Sequence, residues 1–279
     1  MIADNVIKIL NNKKMFAKKK FGQNFLIDKN ILNKIVESSN ITKEDTVIEI
    51  GPGMGCLTEF LAINAKNVIA YEIDPDMVEN LGELLVDYSN VEVVLQDFLK
   101  ADLSKYNTEE KCKNIKVVAN LPYYITTPII FKLLSETKIK QFTFMVQKEV
   151  AERFTGKPNT KDYNSLSVAM NFKTNSKIIG KVRPNSFYPA PNVDSALLMV
   201  EAIKTDYDLN FEANFLKFVQ DAFEQRRKTI VNNLNGKYGY NKAELSILLC
   251  ENDMRADLRA ESLSTEELIN LYKIVTHQN

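Results

Sequence analysis

The stretch TVIEIGPGMG, residues 46–55, decides the fold of this chain. Its first five residues form a short apolar run rich in β-branched side chains, and Gly51, Gly53 and Gly55 follow at once. Glycine lets the backbone turn tightly and approach a ligand closely. The stretch therefore predicts a buried strand that ends in a ligand-binding loop, although glycines alone suit a dinucleotide site equally well.

Apolar runs alternate with helical segments around this stretch. Four more strands are predicted at NVIAYEI (67–73), VEVVLQD (91–97), IKVVAN (115–120) and FTFMVQ (142–147). Two later runs, KIIGKVR (177–183) and SALLMVEAI (195–203), are expected to pair antiparallel at one sheet edge. This pattern predicts an α/β fold with a mostly parallel seven-stranded sheet that is buried on both faces.

From residue 211 onward only helical periodicity is found, so we predict a domain boundary within 204–210. The predicted domains are an α/β domain over 1–205 and a small all-helical domain over 206–279.

Composition excludes several kinds of chemistry. The chain has one histidine, His277, and three widely spaced cysteines, so neither a zinc site nor a histidine-based triad is expected. No apolar run is long enough for a transmembrane helix, and no secretory signal is recognised, so we expect a cytoplasmic protein. The formal net charge is +0, yet cations cluster in residues 1–20 and in QRRK (225–228). Such clusters suit either solvated surface or phosphate contact.

Polar side chains are expected at three further strand ends. Glu72 ends the second strand, Asp97 the third and Asn120 the fourth. Because ligands of open α/β sheets bind beyond the carboxyl ends of the strands, these residues should share one site with Gly51. Glu49 and the absence of nearby cations favour a ligand without phosphates. S-adenosylmethionine fits, with its ribose on Glu72 and its adenine near Asp97.

The stretch NLPYYITTP (120–128) indicates what is methylated. The Asn120 side-chain oxygen and the Leu121 carbonyl, held by the rigid Pro122, could accept hydrogen bonds from an exocyclic amine of a base and aim its lone pair at a methyl group. Aromatic faces hold an extruded base by stacking, at about 1–3 kcal/mol per base. Tyr123 and Phe187 are the candidates for this contact, whereas Tyr124 suits core packing equally well.

Together the motifs IEIGPGMG (48–55), NLPY (120–123) and FYPAPNVDS (187–195) resemble those of the ribosomal RNA adenine-N6 dimethyltransferases. KKKFGQNFLIDKNI (18–31) resembles the N-terminal signature of that family, and FEQRRKTIVNNL (223–234) resembles the branch that acts on small-subunit rRNA. The second tyrosine of NLPYY and the alanine of FYPAP depart from the family pattern.

The resemblance implies a Rossmann-like S-adenosylmethionine-dependent methyltransferase fold. It also implies methyl transfer to two adjacent adenines in the 3′-terminal hairpin of 16S rRNA, during late assembly of the small ribosomal subunit. A monomer without a metal ion is expected, and the helical domain is expected to bind rRNA. The implied catalytic residues are Asn120, Leu121, Pro122 and Tyr123. The implied cofactor contacts are Asn24, Leu26, Gly51, Gly53, Glu72, Ile73, Asp97, Phe98 and Asn120, and the implied rRNA contacts are Lys18, Lys19, Lys20, Arg226, Arg227 and Lys228.

Three other functions remain open at the level of sequence. A related family methylates an adenine of large-subunit rRNA and confers macrolide resistance, with the same catalytic motifs. Some relatives bind nucleic acid without catalysis, and DNA adenine methyltransferases carry a motif similar to NLPY. The segment RRKTIVNNL favours the small-subunit branch over the large-subunit one, and the intact Glu72, Asp97 and NLPY argue against a silent relative.

Overall fold

A computed structural model describes residues 1–13, 22–106 and 114–277. These residues form two compact units. Unit 1 comprises residues 1–151 and 176–202, and unit 2 comprises residues 152–175 and 203–279. Residues 152–175 lie within the predicted α/β domain in sequence, but in the structure they group with the helices of unit 2. The roles of the two domains stay predictions.

The seven-stranded sheet of unit 1 confirms the predicted fold class. Its strands are β2 (Thr46–Ile50), β3 (Asn67–Glu72), β4 (Val91–Leu95), β5 (Ile115–Asn120), β6 (Gln141–Gln147), β7 (Thr174–Val182) and β9 (Ser195–Ala202), in the order β4-β3-β2-β5-β6-β9-β7. The pairs from β4 to β6 are parallel, and β9 runs antiparallel to β6.

Helices α1 (Val6–Asn12) and α2 (Lys29–Ser38) precede β2. Helices α3 (Cys56–Asn64), α4 (Pro75–Leu84) and α5 (Thr126–Glu136) connect β2 to β3, β3 to β4 and β5 to β6, and α6 (Lys148–Phe154) follows β6. Side-chain caps fix where two of them begin. Asp28 accepts from the backbone N–H groups of Asn30 and Ile31, and Asp74 accepts from that of Asp76, ahead of a proline in the first turn.

The strand order reverses direction at β2. From β2 the chain builds outward through β3 and β4, then returns to add β5 and β6 on the other side of β2. The loops that leave β2 and β5 therefore diverge and open a crevice between them. Gly51 follows β2, Glu72 ends β3 and Asn120 ends β5, so the fold brings the predicted strand-end residues to one edge of the sheet.

A second, two-stranded sheet was not predicted. β1 (Phe25–Leu26) pairs antiparallel with β8 (Phe187–Tyr188), with Phe25 opposite Tyr188 and Leu26 opposite Phe187. Two residues are too few to show an alternating pattern, and the partners lie far apart in sequence. This pairing joins the N-terminal signature to the FYPAP loop.

Unit 2 is helical in its C-terminal part, as predicted. Its helices are α7 (Ser165–Lys173), α8 (Leu209–Ala222), α9 (Ile230–Leu234), α10 (Lys242–Glu251) and α11 (Thr265–Thr276). Its core is rich in aromatic rings, among them Phe172, Phe215 and Tyr272. Phe172 belongs to α7 and packs on Phe215 of α8, which explains why residues 152–175 group with this unit. Among the described residues no helix is long and apolar enough to cross a membrane.

Candidate active site

A cavity of about 230 Å³ opens at the carboxyl ends of β2, β3 and β5. Its walls are the glycine loop, the loops after β3 and β4, the NLPYY segment and residues 22–26. Twelve of the predicted site residues line it: Asn24, Leu26, Gly51, Gly53, Glu72, Ile73, Asp97, Phe98, Asn120, Leu121, Pro122 and Tyr123. The structure thus brings together residues from five separate segments, while the role of each one stays a prediction.

Glu72 ties the glycine loop to the end of β3. Its Oε2 accepts a hydrogen bond from the Gly53 N–H at 3.0 Å, and its Oε1 accepts from the N–H groups of Ile73 at 2.9 Å and Asp74 at 3.0 Å. Burial raises the pKa of Glu72, and these three N–H donors oppose that shift. A carboxylate offers about four acceptor positions, so only about one is left for a ligand. Binding both hydroxyls of a ribose would need one position to be shared.

Gly53 allows the N-terminal signature to close over the loop. Its φ of +55° lies in the left-handed region, and a Cβ at this position would come within 3.0 Å of the Phe25 ring. Gly51 has a φ of +70°, but a Cβ there would meet nothing within 4 Å. Gly51 therefore faces open space beside the cavity, whereas Gly53 is in close contact with Phe25.

Glu49 is a site residue that the sequence analysis used only to argue against phosphates. It lines the cavity, is 1% exposed, and its Oε2 has no hydrogen-bond partner among the described residues. Burial raises the pKa of Glu49 to about 8. Its position directly before the glycines was the signal that pointed to it. An acceptor left without a partner at the cavity wall suits a hydrogen-bond donor on a ligand.

The far wall of the cavity combines a carboxylate with aromatic rings. Asp97 caps a short 3-10 turn by accepting from the Leu99 N–H at 3.0 Å. Phe98 is buried and packs edge-on against Tyr71, with ring centroids 5.3 Å apart. Ile73 is 46% exposed beside them. This wall combines apolar side chains with one carboxylate, which suits a purine ring that carries an amino group.

Asn120 is held by a residue of the N-terminal signature. Its Nδ2 donates to the backbone carbonyl of Asn24 at 2.9 Å. The Asn120 Oδ1 is then the acceptor end of an oriented amide. Leu121 donates its N–H to the Met145 carbonyl of β6 at 3.1 Å, and no recorded bond between described residues uses its own carbonyl. Two acceptors therefore lie in consecutive residues at the end of β5.

Tyr123 and Tyr124 are placed differently. The Tyr123 hydroxyl is hydrogen-bonded to Ser195 Oγ at 2.7 Å, and burial raises the Tyr123 pKa above its usual range. Tyr124 also lines the cavity but is 62% exposed, so core packing does not explain it.

Phe187 is not brought to the cavity. It is 3% exposed and packs in the apolar core of unit 1. Consecutive side chains of a strand point to opposite sides, so in β8 Phe187 turns inward while Tyr188 is 36% exposed. The placement does not support the prediction that Phe187 stacks on a base.

The predicted cationic contacts fall into two groups. Lys18, Lys19 and Lys20 lie outside the described residues. In unit 2, the Arg226 guanidinium bonds Glu261 at 2.7 Å and the carbonyls of Lys161 at 2.6 Å and Thr160 at 3.2 Å. Arg226 thus joins three segments of unit 2. Arg227 and Lys228 are exposed, and no contact of their side chains is recorded within the described part of the chain.

The electrostatics of the cavity are those of a site for a ligand without phosphates. Its lining includes Glu49, Glu72 and Asp97 and, among the described residues, no lysine or arginine. Cys56 also lines it, but burial raises the pKa of this thiol to about 12, so thiolate chemistry is not available. Over the described ranges no group of three or more histidine, cysteine or acidic residues could hold a metal ion.

Comparison with known proteins agrees with this geometry. The family model described as ribosomal RNA adenine dimethylase matches residues 14–277. The chain is 48% identical over 253 residues to the ribosomal RNA small subunit methyltransferase A of Streptococcus gordonii, covering 88% of this chain and 87% of the relative. It is 43% identical to the protein of the same name from Leuconostoc mesenteroides, covering 97% and 94%.

Solved structures show the same fold. A dimethyladenosine transferase from Plasmodium falciparum matches with a TM-score of 0.75 and 27% identity, over 88% of this chain and 95% of that one. The 23S rRNA methyltransferase ErmE matches with a TM-score of 0.71 and 27% identity, over 90% and 99%. Because the family model matches residues 14–277, which is nearly the whole chain, this chain belongs to the ribosomal RNA adenine dimethylase family.

Proposed function

We propose that this protein transfers methyl groups from S-adenosylmethionine to the N6 amines of two adjacent adenines in the 3′-terminal hairpin of 16S rRNA, giving N6,N6-dimethyladenosines during late small-subunit assembly. The observation that carries the proposal is the oriented Asn120 amide, held by Asn24 at the rim of an acidic cavity without cations. The cavity thus combines a hydrogen-bond acceptor for an exocyclic amine with a site that suits a ligand without phosphates.

The residues of the cavity fit S-adenosylmethionine. In this proposal Glu72 holds its ribose, Asp97 lies near its adenine and Glu49 accepts from its amino group, and all three line the cavity. Gly51 leaves room for close approach. When bound, S-adenosylmethionine supplies an electrophilic methyl group on a sulfonium. A positively charged ligand favours the ionised form of the buried Glu49 and Glu72 carboxyl groups, so this acidic wall and the ligand stabilise each other.

The chain's own residues orient the adenine. Asn120 Oδ1 and the Leu121 carbonyl accept hydrogen bonds from the N–H groups of the amine. These bonds draw the lone pair of the nitrogen out of conjugation with the ring. Tyr123 offers a ring face for the base, with its hydroxyl fixed by Ser195. No strong general base is needed, because the methylated amine loses its proton after the transfer. This suits a cavity with no histidine or thiolate in the described part of its lining.

Sequence identity favours the small-subunit substrate over the large-subunit one. The curated relatives named for the small subunit are 43–48% identical, whereas ErmE, named for 23S rRNA, is 27% identical. Fold similarity does not separate the two, because the TM-scores of 0.75 and 0.71 are close. In unit 2, Arg227 and Lys228 are exposed and are proposed to bind phosphates of this RNA.

The test is methylation of small ribosomal subunits that lack the modification. Wild-type protein and Asn120→Ala would be incubated with labelled S-adenosylmethionine and these subunits, and the products mapped by nuclease digestion and mass spectrometry. We expect dimethyladenosine at two neighbouring positions in the wild-type reaction, and its loss in the variant.

Two results would contradict the proposal. Labelling of large-subunit rRNA alone would assign the protein to the other substrate. If the wild-type protein bound S-adenosylmethionine but methylated no RNA, the proposed catalytic activity would be wrong. A Val86→Ala variant serves as the control, because Val86 is 76% exposed and is not part of the cavity lining.

A further inference from the structure

We infer that Tyr124 is a second stacking surface, at the mouth of the cavity, which holds the adenine next to the one being methylated. The inference rests on the proposed function and adds a substrate contact outside the NLPY motif. Its occupant is the neighbouring adenine of the same RNA strand.

The backbone separates the two tyrosines. Residues Tyr123–Ile125 form a 3-10 turn, in which consecutive side chains point about 120° apart. Tyr123 is therefore directed to Ser195, while Tyr124 is directed outward and is 62% exposed. Both residues nevertheless line the same cavity. One ring is thus available inside the site and the other at its rim.

The position of the Tyr124 ring is restrained on one side. A Cβ added at Gly22 would lie 3.4 Å from Tyr124 Cε1 and 3.5 Å from Cδ1, so the ring lies close against the Gly22 backbone. Gly22 has a φ of +61°, which a larger residue rarely adopts. The Pro122 carbonyl accepts from the Ile125 N–H at 3.2 Å and closes the turn. A ring restrained in this way loses little further freedom when a base stacks on it.

The chemistry of the substrate supplies a reason for a second ring. When one of two adjacent adenines leaves the stack to enter the cavity, its neighbour loses a stacking partner. An exposed aromatic side chain at the cavity rim replaces that partner. Because the neighbour is the next adenine to be modified, holding it beside the cavity also keeps the strand engaged between successive transfers.

The test compares Tyr124→Phe, Tyr124→Leu and Tyr124→Ala with wild type, with Val86→Ala as the control for an exposed apolar residue elsewhere. The measurements are kcat and KM for small subunits that lack the modification, and the affinity for S-adenosylmethionine. One stacked base corresponds to a loss of about 5- to 150-fold. We expect Tyr124→Ala to lower kcat/KM within this range, chiefly by raising KM. Tyr124→Phe should stay within about twofold of wild type, Tyr124→Leu should fall between the two, and cofactor affinity should not change.

Several outcomes would overturn the inference. Wild-type kinetics in Tyr124→Ala would remove any role for the ring. Equal activity of Tyr124→Leu and Tyr124→Phe would replace stacking by a general apolar contact, and equal loss in Tyr124→Phe and Tyr124→Ala would assign the effect to the hydroxyl.

A binding measurement separates this inference from the proposed function. In the Asn120→Ala background, small subunits should bind more weakly by a similar factor when Tyr124→Ala is added. Unchanged binding there would refute the second stacking surface, whereas the proposed function is tested by the methylated product of the wild-type protein alone.

Discussion

The glycine loop offers a matched pair of substitutions whose effects should differ for one structural reason. Gly51 and Gly53 both have positive φ values, of +70° and +55°. A methyl group at Gly51 meets nothing within 4 Å, whereas at Gly53 it comes within 3.0 Å of Cδ1 and Cε1 of Phe25. Gly51→Ala therefore measures backbone strain alone, and Gly53→Ala measures strain together with overpacking.

The expected costs follow from these contacts. A left-handed backbone costs an alanine about 1–2 kcal/mol relative to glycine. Overpacking of a filled site adds about 1–3 kcal/mol, because Phe25 is 5% exposed and has little room to move. We expect Gly51→Ala to lower the free energy of unfolding by about 1–2 kcal/mol, and Gly53→Ala by about 2–5 kcal/mol.

The assay is urea unfolding of the single variants, of Phe25→Ala, and of the double variant Gly53→Ala with Phe25→Ala. Removing the Phe25 ring removes the overlap, so in that background Gly53→Ala should cost no more than Gly51→Ala does in wild type. The resulting coupling energy is expected to be about 1–3 kcal/mol. Equal destabilisation by Gly51→Ala and Gly53→Ala, or a coupling energy near zero, would refute the reasoning.

Two further predictions concern buried acid and exposed cations. Burial raises the pKa of Glu49 from 4.5 to about 8, so between these pH values the folded state binds more protons than the unfolded state and stability falls as pH rises. The unfolding temperature of wild type should therefore drop relative to Glu49→Gln between pH 5 and pH 8, and parallel profiles would contradict this. Arg226→Gln should lower the free energy of unfolding by about 1 kcal/mol or more, because it removes bonds to Glu261 and two carbonyls. Arg227→Gln should leave the free energy of unfolding within about 0.5 kcal/mol of wild type. It should weaken small-subunit binding and reduce the slope of log K against log salt concentration by about one. The same loss of stability in both arginine variants would refute the distinction.

The sequence by itself determined the sheet and twelve of the residues that line the cavity. Strands β2 and β5 have the predicted bounds, because a strand buried on both faces is apolar at nearly every position and needs no partner to be recognised. Once the strands are known, the rule that ligands bind beyond their carboxyl ends places Glu72, Asp97 and Asn120 together. These inferences depend on local pattern and on one general property of α/β sheets.

Only the tertiary structure decided which side chains face the cavity and which are engaged elsewhere. Phe187 is buried because β8 pairs with β1, and Arg226 is engaged because Glu261 and residues 160–161 lie against it. Tyr124 is exposed because a 3-10 turn directs it away from Tyr123. The partners of Phe187 and Arg226 are distant in sequence and leave no periodic signal, and a three-residue turn is too short to leave one. Their roles follow from contacts and backbone geometry that exist only after the chain has folded.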